Sequence, residues 1–330
     1  MGIESFDQKI EIPSSPLELI IEPRVKETWE DFLKHCGPFA IAMDGRVIGQ
    51  SKRDYNLPAA NFNHHEDVDR ASTLSTSAQV LNEIRLGLFD TFTKDGHPNV
   101  RLFVEDCDQD VSTAVALFDI ALKQPELLEN WKINQLVGIS NLLDVTSGMY
   151  PLPPNTETMG QHRWVYAPFK DAQRSGEIAT IDPAGMDRII KEITSRIYLF
   201  LTDKAESLAF DGRFEMLGGG EGWKMVKEQG GDARAQMVSE RIHAFGSVIA
   251  EIQQPNEQAP RYKYTLGRLS QWIKFPLPEL YRFLNQQEGI SKEAEDKWGG
   301  SDLSGGSPKT SHSKFTPQEL EILINQFLSR

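Results

Sequence analysis

Apolar and polar positions follow one another along the first half of the chain in a pattern that predicts strands alternating with helices. Compact apolar runs predict buried strands at 39–43, 60–62 and 100–104. Apolar residues at helical spacing predict helices at 75–92, 111–122 and 136–143. Because strands that alternate with helices pair in parallel, we expect an α/β fold around a parallel sheet.

The second half of the chain has a mixed pattern. Residues 151–182 are rich in proline, glycine and polar residues, which predicts an irregular connector, and 183–210 carry an apolar helical stripe. Thr316, Pro317 and Glu319 have the spacing of a capping box that opens a final helix. The expected organisation is an N-terminal arm at 1–23, an α/β domain at 24–155, a connector at 156–182 and a smaller α+β domain at 183–330.

Composition and charge limit the classes of partner. The chain has 330 residues, with 25% charged and 39% hydrophobic, as is ordinary for a soluble protein. Its formal net charge of −13 makes nucleic acid an unlikely partner. The sequence lacks signal-peptide features and membrane-length apolar runs, and Cys107 lies in an acidic loop, so we expect a cytoplasmic protein without a structural disulfide. A homo-oligomer is compatible with the sequence.

Metal-ligating residue types follow each of the three predicted strands. Asp44 follows the first, Asn63-His64-His65 the second, and Asp106-x-Asp108-x-Asp110 the third. Ligands of open α/β sheets collect beyond the carboxyl ends of the strands. Clustered carboxylates repel one another unless a cation or a helix N-terminus neutralises them. Imidazole among carboxylates favours Mn²⁺ as the cofactor, with Mg²⁺, Fe²⁺ and Zn²⁺ as alternatives.

Each motif also has a structural explanation. Adjacent histidines can be exposed in a polar loop, an aspartate can cap a helix, and Asp144 after an apolar helix can cap a turn. The glycines at 218–220 and 299–306 are compatible with a turn and a linker. The coincidence of metal-capable residues at three strand ends favours the metal site.

Together these motifs resemble the DHH phosphoesterase superfamily. Asn63-His64-His65 is similar to the signature Asp-His-His, and Asp44 to the aspartate that bridges two metals. Asp108-x-Asp110 before a small-residue helix looks like the Asp-x-Asp motif, and the segment 142–148 is similar to the one carrying the last metal-binding aspartate, here Asp144. The chain departs from the family in having Asn63 for aspartate, Val104 for a histidine, and the Asp-x-Asp motif after the histidine pair.

The resemblance implies a metal-dependent hydrolase in which water activated by two divalent cations attacks a small phosphoester or phosphoanhydride. Asp44 would bridge the cations, and His65 would contact an anionic oxygen of the substrate. The smaller domain would close over the site, with a glycine-rich substrate loop resembling 299–307. The implied metal ligands are Asp44, His64, Asp106, Asp108, Asp110 and Asp144. The candidate substrate-binding residues are Arg70, Arg268, Gly306, Ser307 and Lys309. Two alternatives remain: hydrolysis of an amide, lactone or other carbonyl substrate, and a non-catalytic binding protein with a degenerate fold of this type.

Overall fold

The computed structural model describes residues 9–11, 17–255 and 257–330, with the backbone alone for 9–11. Within these residues the chain divides into two compact units. The first extends to Val145 and includes Glu157–Leu208, and the second comprises Thr146–Thr156 and Ala209–Arg330. Residues 1–8 and 12–16 of the predicted arm lie outside the described residues.

The first unit contains eight strands and seven α-helices among its described residues. The strands are β1 (Lys9–Glu11), β2 (Leu17–Ile21), β3 (Ala40–Met43), β4 (Lys52–Asp54), β5 (Ala59–Phe62), β6 (Thr93–Lys94), β7 (His97–Pro98) and β8 (Val100–Val104). The helices are α1 (Trp29–Cys36), α2 (Thr76–Arg85), α3 (Leu88–Thr91), α4 (Gln109–Lys123), α5 (Trp131–Val145), α6 (Glu157–Ser175) and α7 (Pro183–Leu201). Short 3₁₀ helices span Arg70–Ser72, Pro125–Glu129 and Glu177–Ala179.

The main sheet of this unit has four parallel central strands. The order is β1-β2-β8-β3-β5-β4, with β2, β8, β3 and β5 parallel and the two edge strands antiparallel. Every residue of β3 and β5 is buried, because both faces of the sheet are covered. The next two parallel strands after β3 in the chain, β5 and β8, lie on opposite sides of it, which places a ligand crevice at the carboxyl end of β3.

The core of the first unit joins the sheet to the helices packed on it. Leu19, Ile41 and Leu102 are fully buried in neighbouring strands. Helix α4 is buried along 110–120, as expected of a helix that is apolar all round. The predicted parallel α/β class is therefore confirmed for this part of the chain.

Several predicted boundaries in the first unit were wrong. The predicted connector at 156–182 is mostly helix α6, and both α6 and α7 belong to the first unit. Leu17–Ile21 of the predicted arm is strand β2, which pairs with β8 inside the sheet. The predicted helix at 75–92 divides at Gly87, whose φ of 97° is the left-handed conformation that ends α2 before α3 begins.

The second unit is smaller and has an α+β fold, as predicted. Its sheet order is β13-β14-β12-β11-β10-β9; only the β10–β11 pair is parallel. The strands are β9 (Phe214–Gly220), β10 (Trp223–Glu228), β11 (Ala244–Ile252), β12 (Arg261–Arg268), β13 (Gly299–Gly300) and β14 (Ser304–Gly306). The helices are α8 (Ala233–Ser239), α9 (Leu277–Glu288) and α10 (Pro317–Leu328).

The glycine-rich segments of the second unit form strands, where the sequence favoured a turn at 218–220 and left open a linker or a substrate loop at 299–306. The run at 218–220 lies in β9, and 299–306 forms the β13–β14 hairpin. A side chain at Gly305 would place its Cβ 2.3 Å from both the Gly299 carbonyl oxygen and the Tyr281 hydroxyl, so glycine is required there. The capping box of α10 is confirmed: the Thr316 side chain accepts from the Glu319 N–H, and the Glu319 carboxylate accepts from the Thr316 N–H.

Among the described residues, no helix is both long enough and apolar enough to cross a membrane.

Candidate metal centre

Asp44 lies at the carboxyl end of β3 and begins a tight turn. Its φ of 52° is left-handed, and its N–H donates to the Phe62 carbonyl at 2.8 Å. The Thr76 hydroxyl, at the first position of α2, donates to Asp44 Oδ1 at 3.0 Å. The turn and the hydroxyl fix the buried Asp44 carboxylate within the crevice predicted by the strand order.

Asn63 organises the histidine loop. Its Oδ1 accepts from the N–H groups of His64 at 2.8 Å and His65 at 3.1 Å. Its amide donates to the carbonyls of Val47 at 3.2 Å and Gly49 at 2.7 Å, among other contacts. The asparagine at this position therefore uses both ends of its amide to shape the loop, and its oxygen is engaged by backbone donors.

His64 lies at the centre of the cluster and is fully buried. Its Nε2 is 2.8 Å from Asp144 Oδ2, 3.3 Å from Asp44 Oδ1 and 3.8 Å from Asp110 Oδ2. These carboxylates come from the end of β3, the first turn of α4 and the last turn of α5. Three predicted ligands thus converge on one imidazole nitrogen.

The spacing and hydrogen bonding around His64 fit a bound cation. Among the described residues, neither ring nitrogen of His64 nor Asp144 Oδ2 has a hydrogen-bond partner of acceptable geometry, although all three atoms are buried. Buried polar atoms without a hydrogen-bond partner are rare unless an ion or a water molecule binds them. Ligands held at about 2.1 Å in an octahedron are roughly 3.0 Å apart when adjacent and 4.2 Å when opposite, and the observed distances fall close to this range.

His65 extends the cluster toward solvent. Its Nε2 is 2.8 Å from Asp44 Oδ1, and its side chain is 30% exposed. In each of two overlapping groups, Asp44–His64–His65 and His64–Asp110–Asp144, the ligand atoms lie within 4.8 Å of one another. Since one Nε2 has one lone pair, His64 can bind a single ion through that atom, and a second ion needs a bridging carboxylate such as Asp44.

Asp110 connects the centre to the N-terminus of α2. Its Oδ2 accepts from the Thr76 N–H at 2.5 Å, and its Oδ1 accepts from the Ser77 N–H at 3.0 Å. These are unsatisfied donors of the first helical turn, so Asp110 caps α2 from another element of the fold. The capping of the Thr76 and Ser77 N–H groups by Asp110 was not predicted, because the partners are distant in sequence.

The charges of the cluster shift the pKa values of its members. Burial lowers the pKa of His64, but the contacts with Asp144 and Asp44 outweigh it and raise the pKa to about 10. Burial raises the pKa of Asp44, yet His64 and His65 hold it far below its ordinary value. Burial and then the nearby Asp44 and Asp144 carboxylates raise the pKa of Asp110 to about 7. The cluster therefore retains protons that a cation would displace.

Asp106 and Asp108 differ from the other predicted ligands. Oδ1 of Asp108 caps α4 by accepting from the N–H groups of Asp110 at 3.0 Å and Val111 at 2.9 Å. Oδ1 of Asp106 accepts from the Cys107 N–H at 2.6 Å. Burial, followed by Asp44 and Asp106, raises the pKa of Asp108 well above its ordinary value. The Asp108 carboxylate is thus close enough to the cluster for these charges to shift its pKa. Asp108 also caps α4, which is the structural explanation considered for this motif.

Positive side chains flank the centre in the first unit. The Arg70 guanidinium donates to Asp144 Oδ1 at 3.1 Å, and its buried Nε has no hydrogen-bond partner among the described residues. Lys26 forms an ion pair with Glu105 at 2.9 Å. A Cβ on Gly45 would be 3.3 Å from Lys26 Nζ and 3.6 Å from the His65 ring, so this pair borders the loop of the cluster. The position of Lys26 was not predicted.

The substrate-binding residues predicted in the second unit have structural contacts. Arg268 is buried, and its guanidinium donates to the carbonyls of Asp302 at 2.7 Å and of Gln271 and Ile273 at 3.2 Å. It therefore stabilises a loop. Ser307 Oγ accepts from the Tyr264 N–H at 3.0 Å. Gly306 pairs with Thr265 in the sheet, and Lys309 is exposed.

Comparisons with known proteins do not define a family. No protein-family model matches the chain, and no curated protein matches it. A solved structure of an uncharacterized protein from Helicobacter pylori G27 aligns with 12% identity over 88% of this chain and 99% of that one. Its TM-score of 0.19 is too low to indicate a shared fold.

Proposed function

We propose that the first unit is a divalent-cation-dependent hydrolase of a small anionic substrate, a phosphoester or phosphoanhydride. The observation that carries the proposal is the convergence of Asp44, Asp110 and Asp144 on the buried Nε2 of His64. Among the described residues, neither ring nitrogen of His64 has a hydrogen-bond partner of acceptable geometry. A histidine with several carboxylates favours Mn²⁺, with Mg²⁺, Fe²⁺ and Zn²⁺ as alternatives.

The residues of the chain divide into ligands and groups that handle the substrate. His64, Asp110 and Asp144 would hold one cation, and Asp44 would be shared with a second, for which Asp108 and Asp106 are the further candidate ligands. When bound, divalent cations lower the pKa of water and neutralise charge on a transferring phosphoryl group. His65 stands at the solvent side of Asp44, where it can exchange its contact with Asp44 for one with a substrate oxygen.

Arg70 supports an anionic substrate over a neutral carbonyl compound. Its guanidinium is anchored on Asp144, a proposed ligand, while its buried Nε has no partner among the described residues. A planar guanidinium beside a cation site suits a phosphoryl oxygen. Arg70 would thus orient the substrate from the side of Asp144.

Turnover of a defined substrate panel tests the proposal. Purified protein is assayed with Mn²⁺ against aryl phosphates, a pyrophosphate and a nucleoside diphosphate, and in parallel against aryl esters and lactones. We expect metal-dependent release of phosphate, absent after treatment with a chelator. Hydrolysis confined to the carbonyl panel would overturn the phosphate assignment, and no turnover despite bound Mn²⁺ would favour a non-catalytic binding protein.

The variants His64→Ala and Arg70→Ala distinguish a proposed cation ligand from a proposed substrate-binding residue. Loss of His64 should reduce turnover to background, because a cation ligand is missing, whereas loss of Arg70 should mainly raise KM. The exposed His97 in β7 provides a matched control, and His97→Ala should retain wild-type kinetics. Equal losses in the His64 and His97 variants would contradict the proposal.

A further inference from the structure

A buried network of hydroxyl groups joins three helices of the first unit. The Tyr166 hydroxyl of α6 is 2.7 Å from Thr113 Oγ1 of α4 and 3.0 Å from Ser140 Oγ of α5. Ser140 Oγ is 3.3 Å from Nε2 of His162, also on α6. All four side chains are buried.

The direction of the hydrogen bonds in this network is fixed by its last acceptor. Thr113 Oγ1 donates its proton to the Gln109 carbonyl at 2.6 Å, so it accepts from the Tyr166 hydroxyl. Tyr166 has then used its proton and accepts from Ser140. Ser140 in turn accepts from His162, which places the His162 proton on Nε2. Each group therefore donates to the next: His162 to Ser140, Ser140 to Tyr166, Tyr166 to Thr113, and Thr113 to the Gln109 carbonyl.

The positions of the network residues relate it to the metal centre. Thr113 lies three residues after Asp110 on α4, and Ser140 four residues before Asp144 on α5. Residues at these spacings share a helix face. The Tyr166 hydroxyl therefore joins the two helices one turn away from the carboxylates that flank His64. Since each hydroxyl in the network has both a donor and an acceptor, the separation of these helix ends is fixed by satisfied buried bonds.

We infer that Tyr166 is a positioning residue for the metal centre: its hydroxyl, held by Thr113 and Ser140, sets the spacing of Asp110 and Asp144 around His64. This inference rests on the proposed function for the presence of the cation. Tyr166 does not contact the ligands. It acts through α4 and α5, in the way that outer residues commonly orient metal ligands.

The variant Tyr166→Phe tests the inference, because it removes one oxygen and keeps the ring. Isothermal titration with Mn²⁺ should show a dissociation constant about tenfold higher than that of the wild type. The electron paramagnetic resonance spectrum of bound Mn²⁺ should broaden, because the carboxylates are held less uniformly.

A partly buried tyrosine hydrogen bond between another pair of helices supplies the control. The Tyr198 hydroxyl donates to Asp119 Oδ2 at 3.0 Å and joins α7 to α4. Asp119 is nine residues beyond Asp110, about 13 Å along the helix axis. Tyr198→Phe should lower the free energy of unfolding as Tyr166→Phe does, but should leave the Mn²⁺ dissociation constant within about twofold of wild type.

The outcomes distinguish this inference from the proposed function. Equal weakening of Mn²⁺ binding in both variants, or none in Tyr166→Phe, would overturn the positioning role. If Tyr166→Phe weakens Mn²⁺ binding, Tyr198→Phe does not, and the wild type shows no hydrolysis, the positioning role is supported and the hydrolase proposal is overturned. Absence of saturable Mn²⁺ binding in the wild type would overturn both. The His162 tautomer, read from ¹⁵N chemical shifts, is a separate check: a proton on Nδ1 would contradict the order of donation.

Discussion

At the scale of single residues, the centre depends on His64 and on Asn63 beside it. The Asn63 side chain donates to backbone carbonyls and accepts from the His64 N–H, and these bonds place His64 against three carboxylates. The Asn63 side-chain amide thus shapes the loop that carries both histidines. The residue types indicated a cation site, whereas the division of roles between Asn63 and its neighbours follows from backbone contacts that a sequence does not display.

The pKa of His64 leads to a prediction for the pH dependence of metal binding. Its value is raised to about 10, so the metal-free protein carries a proton on His64 near neutral pH, and a cation must displace it. The affinity for Mn²⁺ should therefore rise with pH, by about tenfold per unit where one proton is released per ion.

Calorimetry in buffers of different ionisation heat measures both the affinity and the number of protons released. Affinity should be lowest at acidic pH, where Asp110 also keeps its proton because its pKa is raised to about 7. An affinity that stays constant across the neutral and mildly alkaline range would show that His64 is not a ligand.

At the scale of secondary-structure elements, Asp108 combines two roles that mutagenesis can separate. Its Oδ1 caps α4, and its carboxylate lies near the charges of the centre. Asp108→Ala should lower the free energy of unfolding of the metal-free protein by about 1 kcal/mol, since the cap is lost. Asp108→Asn should restore it, because asparagine caps equally well and relieves carboxylate repulsion. Urea denaturation with a chelator present makes this comparison, and equal destabilisation by both substitutions would contradict the capping role.

The sequence predicted some elements better than others for physical reasons. Strand β8 and helix α4 were predicted because their apolar runs are nearly uninterrupted. Helix α6 was missed because its buried face includes Gly160 and His162, and Pro168 lies within it. Its buried polar residues are satisfied by partners on other helices, so the usual apolar period is obscured.

The prediction of the site residues was also limited by what a sequence pattern displays. Asp44 and His64 come shortly after strands β3 and β5, and Asp110 lies in the helix that follows β8, so the topology of a parallel sheet was enough to bring these three together. Asp144 lies in the last turn of α5, and the position of a strand does not indicate it. Arg268 has the same chemistry as Arg70, but its donors are directed to backbone carbonyls inside the second unit. Residue type alone does not distinguish a loop-stabilising arginine from one that faces a ligand.

At the scale of the whole molecule, the excess of negative charge is consistent with cation binding in the first unit. The net charge is −13, and buried carboxylates at the carboxyl edge of the sheet repel one another without a counter-charge. The same net charge predicts weak, salt-sensitive binding to nucleic acid at most. Closure of the second unit over a substrate stays a prediction.

The position of a bound ion tests the central claim most directly. Crystals grown with Mn²⁺ and measured at its absorption edge give an anomalous difference map that locates the metal without reference to activity. We predict a peak roughly 2.2 Å from His64 Nε2 and from carboxylate oxygens of Asp110 and Asp144, with Asp44 at the same distance or bridging to a second peak. A map from Mn²⁺-saturated crystals with no peak beside His64, or with its peaks only at surface carboxylates, would contradict the account.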